Sequence, residues 1–205
     1  MSHAAKKYSR WLFLGTLAAG LAGGASAPAG AEIADKPLAT SSGAASNLMF
    51  ILDDSASMRR PYLPDSLRYA YYRKWYYSPA VNRVYYNPDV EYQPPLKTDG
   101  LTRMDPADYN AAWRDGYERR ETSDLSDNFQ VDNFFMPKYT MAWATEGAFY
   151  TRFDASLSGC SNSNFPACFE VVDVNDQSAE QKQNFANWFS YYRTRQFAAR
   201  ALISD

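Results

Sequence analysis

Ser178-Ala179-Glu180-Gln181 opens the most strongly patterned stretch of the chain. The Ser178 hydroxyl is placed to accept from the Gln181 amide, and the Gln181 side chain to reach back, which is a capping box. Phe185, Trp188, Phe189, Tyr192, Ala199 and Leu202 follow at spacings of three, four and seven, so one helical face is apolar. The pattern predicts a helix over residues 179–203, about 37 Å long at 1.5 Å per residue. A helix with such a stripe must lie on something apolar. The chain reaches Asp205 with no Gly or Pro stop signal, as if cut.

The opposite end reads differently. Lys6, Lys7 and Arg10 precede an apolar run from Trp11 to Leu21 and then small residues, the anatomy of a secretory signal. Pro28 disfavours cleavage after Ala25-Ser26-Ala27, so Ala29-Gly30-Ala31 before Glu32 is the expected site. A permanent anchor is the alternative, but the run is short for a bilayer. Loss of residues 1–31 lowers Lys+Arg from 21 to 18 against 23 Asp+Glu, moving the formal charge from −2 to −5. It also removes the single histidine, His3.

A chain without histidine excludes a Ser-His-Asp triad, a Cys-His pair and histidine-ligated zinc. With ten glycines it has no phosphate-cradling loop and no nucleophile elbow. No enzyme is expected. An exported chain with two cysteines is expected to pair Cys160 with Cys168 around a short loop, worth ~2–3 kcal/mol in the chain-entropy picture. Mean hydropathy of −0.51 excludes a polytopic membrane protein, and no transmembrane segment is expected once the signal is gone.

Residues 32–46, mostly Ala, Ser, Gly, Pro and Thr, read as a flexible linker. Asn47-Leu48-Met49-Phe50-Ile51-Leu52 then predicts a strand buried on both faces, as in a parallel sheet. Residues 59–175 hold most of the prolines and tyrosines and read as an irregular, aromatic-rich insertion. Its expected strands are Phe134–Tyr139, Phe149–Phe153 and Phe169–Val172. Within it, residues 69–77 interleave tyrosines and Trp75 with Arg73 and Lys74. Export and the acidic balance argue against single-stranded nucleic acid there. A sugar- or protein-contacting surface and packing of the rings against the sheet remain as readings.

Asp53, Ser55 and Ser57 satisfy D-x-S-x-S directly after the predicted strand. Alternate side chains on such a loop can converge, and a carboxylate with two hydroxyls suits a hard divalent cation, Mg²⁺ first, then Ca²⁺ or Mn²⁺. The plainer reading is a turn or helix cap, since Ser and Asp favour both. Asp53-Asp54 lacks the second carboxylate, two residues on, of a phosphatase aspartate pair. Asp173-Val174-Asn175-Asp176-Gln177 lacks the glycine and the final Glu of an EF-hand loop and reads as a turn before the helix.

Residues 47–58 resemble the first strand and metal-ion-dependent adhesion site of von Willebrand factor A-type domains. Three more segments narrow the likeness: Tyr85-Tyr86-Asn87-Pro88-Asp89-Val90-Glu91-Tyr92-Gln93-Pro94-Pro95, Phe135-Met136-Pro137-Lys138-Tyr139, and residues 184–195 from Asn184 through Trp188 to Arg195. Together, over residues 47–205, they resemble the N-terminal region of the PilC/PilY family, tip-associated adhesins and assembly factors of type IV pili. The resemblance implies an α/β, incomplete Rossmann-like A-type domain with the insertion at 59–175. It implies Asp53, Ser55 and Ser57 as metal ligands, weak or incomplete without the Thr and second Asp that later loops supply in such domains. It further implies export to the periplasm, outer cell surface or pilus tip, with pilus subunits, other tip proteins, or host-cell and abiotic surfaces as partners and no nucleic acid. A structural assembly role without a metal is the second expectation, and an inactive truncated remnant the third. In that last case the apolar faces of strand and helix stay uncovered unless the insertion or a partner covers them.

Overall fold

The computed structural model describes residue 49 and residues 51–131 and 137–204. The chain divides into two units, Met1–Met49 and Phe50–Asp205, and the architecture below is that of the second. The expected signal at 1–31 and linker at 32–46 lie outside the described residues.

In chain order the elements are β1 (Ala112–Trp113), β2 (Thr122–Ser123), α1 (Pro137–Thr140), β3 (Phe149–Phe153), β4 (Phe169–Asp173), α2 (Ala179–Tyr191) and α3 (Arg195–Ser204), with short 3-10 turns between them. The class is mixed α/β. β1 pairs antiparallel with β2, and β3 with β4 in the register Phe149↔Asp173 to Phe153↔Phe169. The β3 and β4 expectations therefore hold, and Cys160–Cys168 is a disulfide inside their connection.

Four expectations need correction. Ile51 and Leu52 form no strand, and Met49 and Ile51 are 84% and 89% exposed, because no neighbouring strand among the described residues pairs with them. The sheets are antiparallel two-stranded ribbons, so a parallel Rossmann-like sheet is not formed among the described residues. Pro137–Tyr139, the described part of the strand expected at Phe134–Tyr139, lies in one helical turn, Pro137–Thr140, with Met141 N–H donating back to the Pro137 carbonyl at 3.0 Å. Proline suits a first helical turn, where its missing N–H leaves no bond unmade.

The single long helix is two. The capping box forms as read, with Gln181 N–H donating to Ser178 Oγ and Ser178 N–H to Gln181 Oε1. α2 then stops at Tyr191. The Arg193 guanidinium folds back and donates to the Phe189 carbonyl at 2.7 Å, satisfying an end group that helix continuation would have used. Thr194 Oγ1 accepts from Phe197 N–H at 3.2 Å and so caps α3. The break changes which face points inward. Phe197 and Ala201 become buried, while Leu202, inward in the unbroken pattern, is 80% exposed.

The core is built by the region expected to be an irregular insertion. Tyr76, Tyr77, Tyr85, Tyr86, Phe149 and Tyr150 are buried against Phe185, Trp188 and Phe189 of α2. Ring centroids stand 4.8 Å apart for Tyr77–Phe149 and Tyr86–Phe185, and 4.9 Å for Tyr85–Trp188, the tilted arrangements that aromatic quadrupoles favour. Polar tips find partners: Tyr85 Oη donates to the Phe149 carbonyl at 2.7 Å and Trp188 Nε1 to the Val84 carbonyl at 3.0 Å. Gly116 sits where a Cβ would lie 2.4 Å from the Tyr191 ring, so only glycine fits. Among the described residues no helix is long and apolar enough to cross a membrane.

Two of the segments that carried the family resemblance meet here. Asn184 accepts from Tyr92 N–H at 2.6 Å and donates to the Val90 carbonyl at 2.7 Å. Asn187 donates to the Tyr92 carbonyl and accepts from Ala107 N–H, each at 3.0 Å, and Tyr192 Oη donates to the Gln93 carbonyl at 2.6 Å. The Asn residues of α2 thus supply hydrogen bonds that an extended segment with no sheet partner would otherwise lack. Those residue patterns make the fold.

Candidate metal centre

Asp53, Ser55 and Ser57 lie on an exposed loop that runs into a 3-10 turn, Ala56–Arg59. Asp53 Oδ1 accepts from Ser55 N–H at 2.8 Å, and Asp53 Oδ2 from Ser55 Oγ at 3.0 Å. Ser55 Oγ and Ser57 Oγ are 2.8 Å apart and share a hydrogen bond. The loop therefore brings all three predicted residues together. Asp54 is exposed beside them and joins none of these bonds.

The donor set fits a small hard cation in type and spacing. Ligands about 2.1 Å from Mg²⁺ at right angles stand about 3 Å apart, close to the separations seen here. Hydrogen-bonded oxygens have the same spacing, so distance alone does not choose between the two. Two other sites show what the turn does by itself. At Asp124-Leu125-Ser126 and at Asp154-Ala155-Ser156 the aspartate likewise accepts from the serine amide and hydroxyl two residues on. At Asp154 the Ser156 hydroxyl, then its amide, holds the carboxyl below the usual carboxylate range. At Asp124 partial burial raises the carboxyl, and the bonds from Ser126 and Asn110 outweigh it. Asp154-Ala155-Ser156-Leu157-Ser158 repeats the D-x-S-x-S spacing, so what sets residues 53–57 apart among these three is the hydrogen bond that joins the Ser55 and Ser57 hydroxyls. A cation held there would have three protein residues and otherwise water. No group of three or more His, Cys, Asp or Glu that could hold a metal occurs among the described residues.

The loop is anchored from behind. Arg195 N–H donates to the Arg60 carbonyl at 3.2 Å and Arg195 Nε to the Tyr62 carbonyl at 2.7 Å, tying residues 60–62 to the start of α3. The arginines gathered at this junction were missed in the sequence. Their signal was the Arg59-Arg60 pair and the seven-residue spacing of Arg193 and Arg200, which becomes meaningful only once the chain folds back.

The aromatic run at 69–77 is split rather than uniform. Tyr76 and Tyr77 are core, whereas Tyr69, Tyr71 and Tyr72 are exposed, with Arg68 over Tyr69 and Arg73 over Tyr72. The Asp173–Gln177 segment is a turn, Asn175 N–H donating to Asp173 Oδ1 at 2.8 Å.

No family model matches the chain, and no solved structure matches it. Curated relatives do. The chain is 34% identical over 178 residues to the type IV pilus biogenesis factor PilY1 of Pseudomonas aeruginosa PAO1. It is 31% identical over 181 residues to the protein of the same name in strain PAK, and 33% over 183 residues in strain UCBPP-PA14. Each match covers 82% of this chain and 15% of the relative. Over most of its length, then, the chain is a PilY/PilC-like region, matching about 15% of the length of the pilus biogenesis factors it resembles.

Proposed function

We propose that the chain serves type IV pilus biogenesis and surface adhesion as an exported, non-enzymatic binding component. The observation that carries this is the likeness to PilY1 over 82% of the chain. Its partners are pilus subunits or other tip proteins, together with host-cell or abiotic surfaces. Asp53, Ser55 and Ser57 hold a divalent cation, Mg²⁺ in the first place, on a loop that resembles the adhesion site of von Willebrand factor A-type domains. The ion keeps open positions that a carboxylate of a partner fills. Asp53 supplies the charge, the two hydroxyls fix the ion's place on the loop, and water completes the shell. The protein's own ligand set is partial, so the ion binds weakly until the partner arrives.

The test is association of the chain with pilus subunits in Mg²⁺ and in EDTA, with Asp53→Ala as the variant. Binding that falls at least about ten-fold in both cases fits the mechanism. Binding indifferent to both sinks it.

A structural role without a metal is the second reading. It is favoured by the recurrence of the Asp-x-Ser turn at Asp124 and Asp154 and by the way the family segments pack on one another. Deletion would then abolish piliation, while Ser55→Ala and Ser57→Ala leave it intact.

A further inference from the structure

Beside the Asp53–Arg59 loop lies a groove of about 780 Å³, within the size range of ligand clefts. Its walls come from the 3-10 turn at Ala56–Arg59, the connection from β1 to β2, and α3. Among the described residues the lining includes Arg59, Arg60, Arg114, Arg120, Arg193 and Arg200. Three carboxylates, Asp115, Glu118 and Glu121, are set against them.

The arginines do not have equal duties. Arg193 is buried and serves the end of α2, and Arg114 donates to Gln130 Oε1 at 2.6 Å. Arg120 pairs with Glu118 at 3.3 Å on the surface. Arg59 and Arg60 are exposed, and Arg200 is exposed with its guanidinium 3.8 Å from the Tyr117 ring centroid. Stacking occupies the face of a guanidinium and leaves its N–H edge free for a carboxylate. The Arg195 bonds to the Arg60 and Tyr62 carbonyls hold the turn against α3, so the Arg59-Arg60 pair and Arg200 border one groove.

The geometry points to this groove as a docking site for an acidic peptide segment of a partner protein, in which carboxylates alternate with aliphatic side chains. Charge complementarity selects the carboxylates. The apolar part of the lining, Pro61, Val131 and Phe197, selects the aliphatic ones. The three acidic residues disfavour a uniform polyanion, whose every unit would meet like charge somewhere along the groove. The site is separate from the proposed cation and needs none.

Fluorescence anisotropy of the purified chain, in EDTA throughout, tests this with an eight-residue peptide alternating Glu with Val and Ala. Two counterparts carry Gln or Lys in place of Glu. The Glu peptide binds, and the Gln peptide binds at least about ten-fold more weakly, since each lost charge pair costs affinity. The Lys peptide does not bind, a result that needs no variant. Arg59→Gln with Arg60→Gln, and separately Arg200→Gln, weaken binding about ten-fold with unchanged circular dichroism, while Lys97→Gln with Arg152→Gln, outside the groove, leaves it within about two-fold. Equal affinity for the Gln peptide, or an equal loss with the outside pair, overturns the proposal. So does a sulfated oligosaccharide that displaces the Glu peptide and itself binds more tightly. Because the cation is absent, a negative result here leaves the EDTA-sensitive reading untouched, and the reverse also holds.

Discussion

The aromatic body around α2 and the loop at Asp53–Arg59 are organised by opposite means. The body combines burial with long-range hydrogen bonds, such as Trp188 to Val84 and Asn187 to Tyr92 and Ala107. The loop is held mainly by bonds between residues two or three apart, and it buries nothing. The first region is over-determined, so each side chain is fixed by several neighbours at once. The second costs little to alter, as is usual for an exposed loop on a rigid support.

This contrast can be broken at its strongest point first. Trp188→Ala removes a ring that touches Tyr85, Tyr86 and Phe185 and should cost about 3–5 kcal/mol. Urea unfolding would read that as a markedly lowered midpoint, against a typical total of about 5–15 kcal/mol. A loss under about 1 kcal/mol would mean that the aromatic cluster is not the stabilising core.

Asn187→Ala should cost about 1–3 kcal/mol, because it leaves Tyr92 C=O and Ala107 N–H without their partner in a buried place. Asn187→Asp keeps an acceptor for Ala107 N–H but sets a buried carboxylate against the Tyr92 carbonyl, and so should cost at least as much.

Alkali probes the same body from another side. Burial raises the Tyr85 phenol, and it pushes Tyr86 up to about 12 against a lowering hydrogen bond from Asn184. A raised folded value means that the native state favours the neutral phenol. That stability is complete below the unfolded value of about 10 and is lost as pH rises towards 12. Unfolding followed by near-ultraviolet circular dichroism should therefore begin above about pH 10. A core unchanged at pH 12 would contradict it.

The loop should answer to small perturbations only locally. Asp53→Ala should change the unfolding free energy by less than about 0.5 kcal/mol, since the residue is exposed and its bonds are short-range. The smallest effect is expected at another exposed turn. Hydrogen bonds from the Thr102 hydroxyl, then the Leu101 and Thr102 amides, lower the Asp99 carboxyl to about 2. A depressed folded value means the turn is supported above the unfolded value near 3.9 and loses that support as pH falls through about 2. A carbon-detected titration of Asp99 with a midpoint near 3.9 would show that the turn is not formed in solution.

Legibility followed the reach of the interactions. The capping box at Ser178–Gln181, the strands at 149–153 and 169–173 and the Cys160–Cys168 pair were readable because each depends on a few neighbours in sequence or on composition. The interruption at residues 192–194 was not, since it rests on Arg193 turning back to Phe189 and on Arg195 bonding to residues 60 and 62. The run at 47–52 misled for a related reason. The five apolar residues from Leu48 to Leu52 satisfy a strand pattern, but a strand forms only where a neighbour offers its N–H and C=O groups, and Ile51 and Leu52 meet none among the described residues. Asp53, Ser55 and Ser57 were found as a motif, whereas the arginines beside them come from positions 59–60, 114–120 and 193–200 and share no local pattern.

Sequence alone determined the Ser178 capping box, the strands at 149–153 and 169–172, the disulfide and the D-x-S-x-S grouping, because local hydrogen bonding and side-chain spacing act over a few residues. Only the tertiary structure decided that the tyrosine-rich stretch is the core, that the last helix breaks, and that distant arginines line one groove. Those outcomes depend on which apolar surfaces cover one another, and burial is a property of the folded whole.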